Sequence, residues 1–173
     1  MTAAFLGAVF SKDLARAGRL ADVRLPDRFP VDEDELRFLR DRLREMVQDV
    51  ARSEWLAPRM MVVREGRRLA GHLGFHGPPG EDGRVEVGYG VLPEYRRQGY
   101  AVEACRGLFA WAARERGVTR FRAAVSPANA ASLAVVRRLG FRQTGVQIDP
   151  EDGEEQVFEM ELAEEAWVEP GSK

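Results

Sequence analysis

Apolar positions change their period along this chain, and each change marks a new element. The opening MTAAFLGAVF, residues 1–10, predicts a short helix. Ser11 is expected to N-cap a second short helix running toward Leu20, with Pro26 and Pro30 stopping it. From Asp32 an acidic start precedes Leu36, Leu39, Leu43, Met46, Val47 and Val50, a spacing that predicts an amphipathic helix of several turns.

After Pro58 the period shortens toward alternation. MMVVRE, a turn at Glu65-Gly66, and RLAGHLGF predict a β-hairpin, and RVEVGYGVL predicts a third strand after a polar, Gly-rich loop. GYAVEACRGLFAWAARERG predicts a long helix closed by Gly117, RFRAAV a strand, and NAASLAVVRRLG a helix ending at Gly140. FRQTGVQI and EQVFEMEL close the pattern as a strand pair, and the residues after Leu162 are expected to form a loose tail, 163–173. The order describes an α/β sheet with helices packed on it, within one domain spanning 1–173.

Composition narrows the classes of function. With 173 residues, 45% of them apolar and 31% charged, the chain can bury a core without staples. A net charge of −2 offers no basic field for nucleic acid or an anionic membrane, and no apolar run approaches a membrane span. Cys105 is the single cysteine, so no internal disulfide forms, which suits a cytoplasmic protein. One Cys with His72 and His76 makes a metal site an unfavourable expectation; the two histidines are expected to pack or lie at the surface, with a substrate contact as the functional alternative. Cys105 reads as a small core residue, and Trp55, Trp111 and Trp167 as packing residues.

The informative stretch is VEVGYGVLPEYRRQGYAVEA, residues 85–104. Alternation puts Val85, Val87, Tyr89 and Val91 on one face and Glu86, Gly88, Gly90 and Leu92 on the other. Glycines in a strand weaken it unless something must approach the backbone; the alternative is a simple bulge. A basic loop, RRQG, then enters the long helix, whose first N–H groups are unpaired and whose dipole favours anions. The loop GPPGEDGR, 77–84, lacks the spacing and the Lys of a nucleotide P-loop and is expected to be turn-rich hairpin chain.

Arg96-Arg97-Gln98-Gly99-Tyr100-Ala101 resembles the pyrophosphate-binding signature of the GNAT acetyltransferases, and SPANAASLAVVRRLGF resembles the second block of that family. The flanking GYGVLPEYR and GYAVEA are similar to the branch that includes the ribosomal-protein N-terminal acetyltransferases. The resemblance covers about 58–162 and implies a GNAT-type fold, a mixed, mostly antiparallel central sheet with helices packed on it. It implies acetyl-CoA as co-substrate and an amine as acceptor, with direct transfer and no covalent intermediate. Carried over position by position, Val91 and Leu92 would pair with the pantetheine arm. Arg96, Arg97, Gln98, Gly99, Tyr100 and Ala101 would hold the pyrophosphate, and Asn129 and Ser132 would contact the cofactor. Asn129 also reads as a plain N-cap, and Ser132 as a solvated first-turn residue. Arg137-Arg138 reads as a solvated helix end, with a reach to the cofactor's 3′-phosphate as the alternative.

Transfer to an amine needs its neutral form, so a base helps. Relatives place the Glu86 position at the acetyl site, which makes Glu86 the candidate base or amine-orienting group; the alternative is a surface carboxylate. Glu103 is assigned to the helix dipole. Two departures from the family stand out. Val136 occupies the position where many relatives place the Tyr that protonates the leaving thiolate, and the strand that usually precedes the first helix is missing. The acceptor is expected to be a protein N-terminus or a small-molecule amine such as an antibiotic or polyamine, and the chain a monomer or homodimer. A CoA-binding regulatory module without turnover, and a plain interaction domain, are the rivals.

Overall fold

The computed structural model describes residues 1–30, 32–150 and 153–163, so the tail expected after Leu162 lies from Glu164 onward outside the described residues, as does Trp167. The elements run α1 (Ala3–Phe10), α2 (Leu14–Ala21), α3 (Glu33–Gln48), α4 (Ser53–Leu56), β1 (Arg59–Val63), β2 (Arg68–Phe75), β3 (Arg84–Val91), α5 (Tyr100–Arg116), β4 (Arg120–Val125), α6 (Ala130–Leu139), β5 (Arg142–Asp149) and β6 (Gly153–Glu161). The strands form a six-stranded sheet in the order β1-β2-β3-β4-β6-β5. The pairs β1/β2, β4/β6 and β5/β6 are antiparallel, and β3/β4 is parallel over Arg84–Glu86 against Arg120–Arg122. This is the expected mixed, mostly antiparallel α/β sheet.

The chain gathers into two compact units: Met1–Pro78 with Gly88–Ala101, and Pro79–Val87 with the chain from Val102 onward. In the first unit, Thr2 caps α1 by accepting the Phe5 N–H at 3.2 Å. The expected cap at Ser11 is corrected: its hydroxyl turns back onto the Gly7 and Ala8 carbonyls at 3.0 Å, closing α1. Asp13 caps α2 instead, its carboxylate accepting the Arg16 N–H at 2.9 Å where the helix dipole favours negative charge. Asp32 does the same for α3, accepting the Glu35 N–H at 2.8 Å.

Helix α3 ends at Gln48, short of Val50. Asp49 captures the Arg52 N–H at 3.1 Å and starts a separate tight turn, which leaves Val47 and Val50 on the surface at 64% and 75% exposed. Leu39 and Met46 do face inward, meeting Phe5, Leu6, Leu69 and Leu92 in one apolar cluster. Among the described residues no strand precedes α3; Arg24 alone makes a parallel bridge, to Arg68.

In the second unit the Phe109 ring of α5 lies 4.2 Å from Phe121 of β4 and 6.0 Å from Phe141. Cys105 is fully buried there, and burial pushes its thiol up to about 12, so it is the inert core residue its position in α5 predicts. Gly140, at φ 94°, ends α6 in the left-handed conformation that a C-cap favours. No helix among the described residues is long and apolar enough to cross a membrane.

Candidate functional site

The loop between β3 and α5 is built to leave its backbone open. Leu92 is buried at 2% exposure and donates its N–H to the Ala70 carbonyl at 2.9 Å, which anchors the start of the loop to β2. A tight turn at Pro93–Tyr95 follows, and the Tyr95 ring meets the Tyr100 ring edge-on at 5.9 Å, bracing the two ends of the loop. Between them Arg97 and Gly99 take left-handed backbone, at φ 63° and 89°. Left-handed residues can turn backbone N–H groups toward a common side, and this loop leads directly into α5. A Cβ placed on Gly99 would meet nothing within 4 Å. The space beside that backbone is open.

The side chains of the loop divide their work. The Gln98 amide donates to the Glu94 carbonyl at 2.9 Å, and Arg96 Nε donates to the Val91 carbonyl at 3.0 Å, so both stiffen the turn. Arg97 is exposed, and Ala101 is buried, so Ala101 offers its N–H rather than its side chain. The Val91 carbonyl, a group that a cofactor amide would bond, therefore already carries Arg96. Leu92 is committed to the fold at both its N–H and its carbonyl, the latter accepting from Tyr95 at 2.9 Å.

Gly88 and Gly90 have a different explanation from the open space at Gly99. A Cβ on Gly88 would stand 2.6 Å from His76 Nε2, and one on Gly90 would stand 2.9 Å from His72 Nε2. The rings of His72, on β2, and of His76, just past its end, lie over these glycines and fill the room they leave. Helix α3 meets the His72 ring and the His76 backbone. Phe38 stacks on His72 at 4.9 Å and 16°, Glu35 places a carboxylate oxygen 3.4 Å from His72 Nε2, and Arg42 donates to the His76 carbonyl at 3.3 Å. Positions 35, 38 and 42 share one face of a helix, so the arrangement follows from helical spacing.

The remaining candidates belong to the second unit. Glu86 lies opposite Arg122 in the β3/β4 register, with Arg122 Nε 3.5 Å from its carboxylate. Burial raises the Glu86 carboxyl above the usual carboxylate range, the Arg122 charge opposes that rise, and the negative charge of Asp149 adds to it. A carboxylate so placed is a better proton acceptor than an exposed one. Arg122 also reaches Gln147, which in turn donates to Glu155 at 2.8 Å. Asn129 is the N-cap of α6, its side-chain oxygen accepting the Ser132 N–H at 3.0 Å. Val136, at the position for which the family resemblance implied a Tyr, is fully buried.

Tyr95, Arg122, Glu35 and Phe38 escaped the sequence reading. Tyr95 adjoins the basic loop and was within reach of it; the others depend on register or on which helix covers which strand. Among the described residues no group of three or more His, Cys, Asp or Glu side chains is placed to hold a metal ion.

Residues 12–142 match the family model described as "Acetyltransferase (GNAT) domain". The chain is 34% identical over 82 residues to the N-acetyltransferase YjdG of Bacillus subtilis strain 168, an alignment covering 47% of this chain and 49% of that protein. The chain thus spans about half the length of the curated relatives it matches. Among solved structures, the acetyltransferase of Salmonella typhimurium that modifies the N-terminal serine of ribosomal protein L7/L12 aligns with a TM-score of 0.62 at 18% identity, over 94% of each chain. The microcin C7 self-immunity acetyltransferase MccE, solved with acetyl-CoA and AMP, aligns with a TM-score of 0.60 at 14% identity, over 93% of this chain and 89% of that one. At these identities the two structures speak to the fold.

Proposed function

The chain belongs to the GNAT acetyltransferase family, and we propose that it transfers the acetyl group of acetyl-CoA to a primary amine by direct attack. The observation that carries this reading is the loop from Arg96 to Ala101. It combines two left-handed residues, an unobstructed Gly99 and a helix start, which together suit a pyrophosphate. In this reading the loop N–H groups and Arg97 hold the pyrophosphate. The Val91 carbonyl exchanges its Arg96 bond for one to the pantetheine, and Asn129 and Ser132 make further cofactor contacts while Asn129 still caps α6. Glu86 takes a proton from the acceptor nitrogen, which its raised proton affinity supports. The acceptor belongs to one of two classes, a protein N-terminus or a small amine.

Val136 supports a second reading, a CoA-binding module without turnover. It puts a buried valine where relatives keep the Tyr that protonates the thiolate. Calorimetry with CoA and a thiol-release assay over an amine panel separate the two. Binding with thiol release is the expected outcome, binding without release for any amine selects the module, and no binding rejects both.

A further inference from the structure

His72 is the one buried polar residue among the core positions of the described chain, at 8% exposure, and its Nδ1 has no hydrogen-bond partner although it is closed off from solvent. A buried polar atom left unpaired is costly, so its retention calls for a use. The rest of the ring is held on every side. Glu35 stands 3.4 Å from Nε2, Phe38 stacks on one face, and Gly90 gives up its side chain to let the ring lie against β3. The Glu35 carboxylate, itself buried at 8% side-chain exposure, favours the proton on Nε2. That leaves the lone pair on Nδ1. Gly90 directly precedes Val91, so the ring lies beside the end of β3 where the cofactor arm is assigned.

The chemistry supplies the need. A primary ammonium loses two N–H protons on becoming an amide, one ending on the departing thiolate of CoA and one released. Val136 supplies no proton to the thiolate, so a group that takes a proton from the amine and passes it on has a use. We propose that His72 Nδ1 is a proton acceptor for the acceptor amine, with Glu35 as its positioning residue. In this step an N–H bond of the substrate breaks and an N–H bond forms at Nδ1. The electron pair stays on the substrate nitrogen, the nitrogen attacks the thioester carbonyl, the C–S bond breaks with its pair going to sulfur, and the imidazolium beside Glu35 returns the proton to the departing thiolate. The inference rests on the acetyl-transfer reading and adds to it the residues that meet the amine.

The test uses His72→Gln, whose amide keeps a donor toward Glu35 but has no basic lone pair, and Glu35→Gln, which removes the charge that holds the imidazolium. For His72→Gln, kcat should fall about a hundredfold, within the general acid–base range, with CoA affinity and Tm close to wild type. Glu35→Gln should lower kcat by about tenfold in the same direction. A folded His72→Gln protein with wild-type kcat overturns the proposal. Should His72→Gln fail to fold, Glu35→Gln decides: full kcat overturns the proposal and a selective loss of kcat upholds it. If wild-type protein releases no thiol with any amine, the acetyl-transfer reading falls and takes this one with it. If wild-type turns over and the variants match it, only this inference falls.

Discussion

Gly99 and Gly90 lie nine positions apart in one unit, on the same stretch of chain, and they serve opposite ends. Gly99 has left-handed backbone and nothing within 4 Å of where a Cβ would stand; Gly90 would put a Cβ 2.9 Å from a histidine ring clamped by Glu35 and Phe38. One glycine keeps room for something outside the protein, the other makes room for the protein itself. In the proposed function the contrast separates the loop assigned to the cofactor, which needs open backbone, from the side assigned to the acceptor, which needs a seated side chain. Glycine in a sequence announces a close approach without saying by what.

The contrast is tested first at Glu86, which shares the alternating face of β3 with Gly88 and Gly90. If that face serves chemistry and the loop serves binding, Glu86→Gln should cut kcat by about 10²–10⁴-fold while leaving CoA affinity unchanged. Steady-state kinetics beside calorimetry read both quantities. Equal kcat in the variant would reduce Glu86 to a structural partner of Arg122.

The two glycines then give a paired experiment with smaller effects. Gly99→Glu should weaken CoA binding by more than tenfold, about 1.4 kcal/mol or more, because it sets a negative charge in the space assigned to the pyrophosphate. Its Tm should fall only by the modest cost of a side chain at positive φ. Gly90→Ala should do the reverse. The added Cβ forces a seated ring to move, an overpacking cost of about 1–3 kcal/mol, while CoA affinity of the folded protein holds. If Gly99→Glu binds CoA normally, the loop assignment fails; if Gly90→Ala keeps its Tm, the ring over β3 is not held as tightly as Phe38 and Glu35 imply.

How much of this was legible in the sequence follows from how local each feature is. The strand, basic glycine loop and helix entry occupy consecutive residues, so their pattern is readable in one window. The ends of α5 and α6 at Gly117 and Gly140 are readable for the same reason. Ser11 misled because two good N-caps stand two residues apart, and the carboxylate of Asp13 won the α2 terminus. Val47 and Val50 fit a helical stripe by spacing, yet Asp49 breaks the helix between them. The reason for Gly88 and Gly90 lay in the rings of His76, just past β2, and His72, on it, and the partner of Glu86 lay in the register of β3 against β4. Lateral neighbours of a sheet are set by tertiary pairing, which no window of the chain displays.

The smallest expected effect concerns that register, and it sharpens the chemical side of the contrast. Three influences act on the Glu86 carboxyl: burial raises its proton affinity most, Arg122 lowers it, and Asp149 raises it. As a base Glu86 must be charged, so kcat/KM should fall as pH drops through a value above the ordinary carboxylate range. Arg122→Gln removes the lowering influence and should move this acidic limb to higher pH, whereas Asp149→Asn should move it lower. Stability carries its own sign. A carboxyl whose proton affinity is raised by folding stabilises the native state at pH below the ordinary carboxylate range, and that contribution is lost as pH rises through the raised value. Arg122→Gln should therefore lower Tm more above that window than below it. Profiles of kcat/KM against pH for the two variants, with Tm followed over the same range, check both statements. Limbs that stay where the wild-type limb lies would mean that some other group titrates there, and the proton-accepting role on β3 would pass from Glu86.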